Sequence, residues 1–278
     1  MNYFKEIIKY TLPFGVYIKW SAFKNKKLLR ERAERLKKYA RLQSNELNNF
    51  RQYDYEESIR VLIAQKLDEN QIRFGSIPEK DLSFVTTELK KCFHENEKLT
   101  LLHIGNFVGV SLCYFANFVK TLHEESLVVA IDPNIEHRGI FHPEDYVKNL
   151  ISYFQLDKNV LLIDAFSLEK NLKNDGGVLY TKELGMQNEI GCSHSLKNIA
   201  KITDKKFDVC IIDGNHESEY LSEEIKYAID IMKDGSFIVL DDILYWEDVK
   251  RVFDKWQTDK NFKLIASSDR IGIIKVLK

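Results

Sequence analysis

From Thr100 onward, short apolar runs alternate with stretches whose apolar residues recur at helical spacing, the pattern of βα units that feed a parallel sheet. The runs predict strands at Thr100–Ile104, Leu127–Ile131, Val160–Ile163, Phe207–Ile212, Ser236–Leu240, Phe262–Ala266 and Ile271–Val276. Between the fourth and fifth of these, Leu221, Ile225, Ala228, Ile229 and Met232 fall on one helix face, as a crossover helix packed on a sheet requires. The last two strands are joined only by Ser267-Ser268-Asp269-Arg270, too short for a crossover helix, so they must pair antiparallel. The fold class is therefore α/β: an open, doubly wound sheet of seven strands with an antiparallel final strand.

Upstream, residues 1–75 read as a helical accessory segment. An amphipathic first set of turns breaks around Pro13 and Gly15, a basic stretch runs from Lys24 to Arg41, and a further helix spans about Tyr55 to Leu67. Gly75 and Ser76 interrupt the pattern, and Pro78 opens a helix to about Cys92 that leads into the main domain, 76–278. Within it, about forty residues separate the third strand from the fourth, and Gly176, Gly177, Gly185 and Gly191 lie among them. That is longer than an ordinary crossover, so residues 168–206 are read as an insertion at the ligand end of the sheet.

The chain has 278 residues, 44% of them hydrophobic, enough for one large core and a small accessory part. Its four cysteines are scattered without a CxxC pair, which favours a reducing cytosol over a disulfide framework or a zinc site. No apolar stretch near the N-terminus approaches the ~20 residues of a spanning helix. The net charge of −1 hides an asymmetry: residues 1–41 carry twelve Lys/Arg against three Asp/Glu, and the remainder twenty-nine against thirty-nine. Such a basic arm, with Phe4, Ile7, Ile8 and Leu12 at helical spacing, suits an anionic membrane surface or a polyanionic partner, or else a solvated helix packed on its own body or on a second subunit. No basic-aromatic motif points to nucleic acid as substrate.

After the first strand comes His103-Ile104-Gly105-Asn106-Phe107-Val108-Gly109-Val110-Ser111. Two glycines at a strand-to-helix turn allow close backbone approach in the crevice where open α/β sheets bind cofactors, although the run is not the GxGxxG of dinucleotide sites. Asp132 ends the second strand, where a carboxylate can accept from ribose hydroxyls. Asp164-Ala165-Phe166 ends the third and could flank an adenine. Three such groups at successive strand ends form a nucleotide-shaped row.

A second constellation is Asp213-Gly214-Asn215-His216 after the fourth strand and Asp241-Asp242 after the fifth. Adjacent strands of a parallel sheet end side by side, so Asp213, Asp241 and Asp242 should converge. A hard cation held through oxygen would relieve their repulsion, with Mg²⁺, Mn²⁺ or Ca²⁺ favoured over zinc. His216, near the start of the next helix, is the candidate base, neutral at pH 7.

These residues resemble the class I S-adenosylmethionine-dependent methyltransferases, and among them the metal-dependent sugar O-methyltransferases of the macrocin and mycinamicin type. The resemblance covers roughly Thr100 to Lys278. Ile104 to Ser111 is similar to that group's cofactor loop, in which an aromatic often stands where Phe107 does. Asp213 with His216 resembles its metal ligand and proposed base, and Asp241-Asp242 its acidic pair. The resemblance implies a Rossmann-like fold and a cofactor site for S-adenosyl-L-methionine at Gly105, Asn106, Phe107, Gly109, Ser111, Asp132, Asp164, Ala165, Phe166 and Asp213. It also implies a divalent cation, Mg²⁺ foremost, on Asp213, Asp241 and Asp242, with a small-molecule or glycan hydroxyl as acceptor. One position departs: His103 stands where the family usually has an acidic residue.

Overall fold

The structure, a computed structural model, describes residues 52–168, 195–202 and 206–277, with Lys26, Lys27, Arg30 and Glu34 as isolated helical positions upstream. The basic arm and most of the 168–206 insertion lie outside the described residues. Packing divides the chain into two compact units, Met1–Asn49 and Phe50–Lys278. The second begins with α1 (Tyr55–Ala64), α2 (Glu69–Phe74) and α3 (Glu79–Lys90). Asp54 and Asp68 cap α1 and α2 through their carboxylates, satisfying N–H groups that the first helical turn leaves free. Tyr55, Ile59, Leu62 and Ile72 from these helices belong to the same buried cluster as strand residues Leu101, Val128 and Val209. Helices α1 and α2, which precede the break in pattern at Gly75 and Ser76, thus share a core with the sheet.

The elements that follow are β1 (Thr100–Ile104), α4 (Val110–Leu122), β2 (Leu127–Asp132), α5 (Pro143–Tyr153), β3 (Val160–Asp164), α6 (Ser195–Ile202), β4 (Phe207–Ile212), α7 (Ser218–Ile231), β5 (Met232–Leu240), α8 (Glu247–Gln257), β6 (Phe262–Ser267) and β7 (Gly272–Val276). The seven strands lie in the order β3-β2-β1-β4-β5-β7-β6. The first five are parallel, and β7 runs antiparallel between β5 and β6. Met232, expected on the crossover helix, instead begins β5.

Alternation along the strands divides the core in two. Leu101, Val128, Ala130, Val209 and Ile211 face α1 to α5, while Leu102, Val129, Ile131, Cys210 and Ile212 face α6 to α8. Helix α6 lies inside the sequence insertion and seats Leu196 and Ile199 in the second layer. With both faces covered, the sheet offers chemistry only at its edges and strand ends. Among the described residues, no helix is long and apolar enough to cross a membrane.

Candidate functional site

Backbone hydrogen bonds align the carboxyl ends of five strands. Ala165 N–H donates to the Asp132 carbonyl (3.1 Å), Gly105 to Ile131 (3.0 Å), Asp213 to Ile104 (2.9 Å) and Asp241 to Ile212 (3.2 Å). The candidate residues therefore form one continuous row along the sheet, the crevice in which such folds bind ligands.

At one end of the row, Asp132 organises the loop after β1. Its Oδ2 accepts from the N–H of Asn106 (2.5 Å) and of Phe107 (3.3 Å), and its Oδ1 from that of Asn134 (2.7 Å). Burial pushes the carboxyl above its ordinary value, and the three N–H donors counter this by favouring the ionised form. Asn134 Nδ2 donates to Asp164 Oδ1 (2.9 Å), tying the ends of β2 and β3. Gly105 has φ +89°, and a Cβ there would run into the Asp213 carbonyl, so this glycine permits the loops after β1 and β4 to touch. Gly109, at φ +92°, precedes α4, and its added Cβ would come 3.1 Å from Val147 Cα. Ser111 is buried in the first turn of α4. Phe107 turns its ring toward Gly75 and meets His137 edge-on at 5.8 Å. Ala165 and Phe166 are half-buried beyond β3.

His103, the departure from the expected acidic residue, is fully buried and approaches Asn106 Oδ1 through Nδ1 (3.2 Å). Burial pushes its pKa down to about 4, so it is neutral at physiological pH. The neutral ring can anchor Asn106, whose own N–H donates to Asp132.

At the other end, Asp213, His216 and Asp242 each offer one ligand atom, and these atoms lie within 4.8 Å of one another. His216 Nε2 is 3.4 Å from Asp242 Oδ2 and has no hydrogen-bond partner among the described residues. Burial, followed by the Asp241 and Asp242 carboxylates, holds the Asp213 carboxyl well above its ordinary range. Burial, followed by the Asp241 carboxylate, pushes Asp242 up to about 6, and burial holds His216 below its usual value. Asp242 also adopts φ +58°, an uncommon conformation for a residue with a side chain.

The third expected carboxylate, Asp241, hydrogen-bonds to Asp213 and is also held by an arginine. Asp241 is buried, and Arg270 grips it with two bonds, Nε to Oδ1 at 2.7 Å and an η nitrogen to Oδ2 at 2.6 Å. Thus Asp213, His216 and Asp242 offer ligand atoms to one point, while Arg270 binds Asp241 and also reaches Asp242. Two residues bordering the site were not singled out in the sequence. Arg270 sits in a four-residue turn whose only visible property is shortness, and Trp246, stacked on His216, follows the acidic pair as one of several aromatics.

A family model described as a methyltransferase domain matches residues 102–243. No curated protein matches the sequence. Among solved structures, an O-methyltransferase from Bacillus cereus in complex with SAH is similar at 15% identity, covering 86% of this chain and 96% of its own, with a TM-score of 0.54. A SAH-bound methyltransferase from Podospora anserina shares 10% identity over 87% and 96% of the two chains, with a TM-score of 0.54. An O-methyltransferase of tomaymycin synthesis from Streptomyces achromogenes, in complex with SAM, shares 11% over 86% and 95%, with a TM-score of 0.51. At such identities the likeness is one of fold.

Proposed function

Because this chain belongs to the methyltransferase-domain family, we propose that it transfers the methyl group of S-adenosylmethionine to a hydroxyl of a sugar or another small polyhydroxylated acceptor, assisted by a divalent cation. The observation that carries the proposal is the juxtaposition in one row of the Asp132-organised loop and the Asp213–His216–Asp242 cluster. The orphaned Nε2 of His216 and two carboxylates with raised pKa values are what a cluster short of positive charge should show, so the donor set fits a cation. A hard cation would take oxygen from Asp213 and Asp242 and leave the imidazole nitrogen free. Such an ion, when bound, would lower the pKa of an acceptor hydroxyl.

The chain's own groups then have defined tasks. Asp132 and the N–H groups it orients hold the ribose end of the cofactor, and the loop after β1 fixes its sulfonium toward β4. His216 Nε2 takes the proton as the acceptor oxygen forms its bond to the methyl carbon. The methyl–sulfur bond breaks in the same step, leaving its electron pair on S-adenosylhomocysteine. Alignment contributes most, since well-oriented reactants can gain up to ~7–11 kcal/mol. The proposal is tested by supplying labelled S-adenosylmethionine with a panel of polyhydroxylated acceptors, with and without chelator, to wild type and Asp242→Asn. Chelation and Asp242→Asn should each abolish transfer while cofactor binding persists in calorimetry. Undiminished transfer in chelator would favour a metal-free enzyme, for which the Arg270–Asp241 pair already supplies local neutralisation.

A further inference from the structure

Arg270 is placed with more constraint than a surface ion pair needs. It leaves the β6–β7 turn, where Ser268 Oγ accepts from the N–H of Arg270 (3.2 Å) and of Ile271 (2.9 Å), and where Ser268 N–H donates to the Ile271 carbonyl (2.8 Å). The Arg270 carbonyl accepts from Ile243 N–H at 2.9 Å, joining the turn to the residue that follows the acidic pair. Its guanidinium lies 5.6 Å from the Tyr245 ring, and its side chain is only 18% exposed. Besides the two bonds to Asp241, an η nitrogen stands 3.1 Å from Asp242 Oδ1, while Asp242 Oδ2 points to His216. One guanidinium thus binds both oxygens of Asp241, which also hydrogen-bonds to Asp213, and one oxygen of Asp242, whose other oxygen faces His216.

We propose that Arg270 is a positioning residue acting as a fixed cation inside the site: it withholds Asp241 from the ligand set, aims the free oxygen of Asp242, and sets the charge left over to that of one divalent ion. The inference rests on the cation reading above. With a divalent ion bound, three ionised carboxylates and one guanidinium beside a neutral imidazole would sum to a charge of minus two. Without Arg270 the sum would be minus three, and Asp241 would become an additional donor. In a partly desolvated site each unit of charge weighs far more than in water, so such a change alters which ion the site prefers. Arg270 therefore acts on the acceptor only through Asp242 and the ion.

The test uses the full chain and two probe ions, Mn²⁺ and Tb³⁺. Trp246 stacks on His216 with ring centroids 5.1 Å apart, so Tb³⁺ luminescence excited through tryptophan reports occupancy at this site, and Mn²⁺ is measured by its displacement of Tb³⁺ and by calorimetry. Arg270→Gln should raise the preference for Tb³⁺ over Mn²⁺ by about tenfold or more, and Arg270→Lys, which keeps the charge, should stay within about threefold of wild type. Arg270→Gln strands a buried carboxylate and can fail to fold. The double variant Asp241→Asn with Arg270→Gln removes both partners, keeps the sum at minus two, and should return to the wild-type preference. A preference unchanged in Arg270→Gln, or a double variant that departs from wild type by tenfold, would overturn the proposal. Failure of wild type to bind either ion would overturn the cation reading and this inference with it.

Discussion

The imidazole of His216 lies flat against the indole of Trp246, with ring centroids 5.1 Å apart and planes 5° from parallel. Stacking of this kind fixes the rotation of the ring, and with it the direction of the orphaned Nε2. His216→Ala should therefore bind cofactor and cation normally but lose ~10²–10⁴-fold in single-turnover methyl transfer. Trp246→Phe, which keeps a stacking face, should stay close to wild type, while Trp246→Ala should fall between the two. A His216→Ala enzyme with wild-type single-turnover rate would leave the histidine a structural residue.

Asp132 serves the loop as well as the proposed ribose contact, since three backbone N–H groups converge on its carboxylate. Asp132→Ala should weaken S-adenosylmethionine binding by ~1.5–3 kcal/mol, the scale of a charge-assisted hydrogen bond. Titration calorimetry on the folded variant measures it. Unaltered affinity would remove Asp132 from the cofactor site.

Much of this arrangement was legible in the sequence because it depends on local pattern. All seven strands and their alternation follow from runs such as Thr100–Ile104 and Phe207–Ile212, whose residues face two buried layers. The start of β5 was not legible. The expected strand begins at Ser236, yet β5 already passes through Lys233-Asp234-Gly235 with an irregular register opposite Phe207 and Val209, and Gly235 adopts φ +77°. The convergence of Asp213 and Asp242 follows from neighbouring strand ends, whereas the grip of Arg270 on Asp241 does not. It depends on β7 lying between β5 and β6, which brings a distant turn against the acidic pair, and no local spacing records that adjacency.

A third prediction concerns stability away from the cluster. Glu224 on α7 is buried, and its Oε1 accepts from Ser167 Oγ, a hydroxyl that also meets Tyr220 Oη at 3.1 Å. Burial pushes its pKa up to about 7 from an ordinary 4.5. An acid whose folded pKa is raised binds more protons folded than unfolded between those values, so its contribution to stability declines as pH rises from about 4.5 to 7. The full shift corresponds to roughly 3 kcal/mol. Glu224→Gln keeps the hydroxyl partner without the charge and should flatten this part of the stability profile, as measured by urea denaturation across pH. An equally steep decline in the variant would assign it to another group.

The placement of β7 inside the sheet, rather than at its edge, also dictates an order of assembly during synthesis. A growing chain exposes Asp213 first, then Asp241 and Asp242, while the edge of β5 that will receive β7 stands unpaired. Only when the β6–β7 turn has left the ribosome can Arg270 reach Asp241, and in the same movement β7 covers that open edge. Until then Asp241 lacks the guanidinium that grips it, and the edge of β5 has no strand beside it.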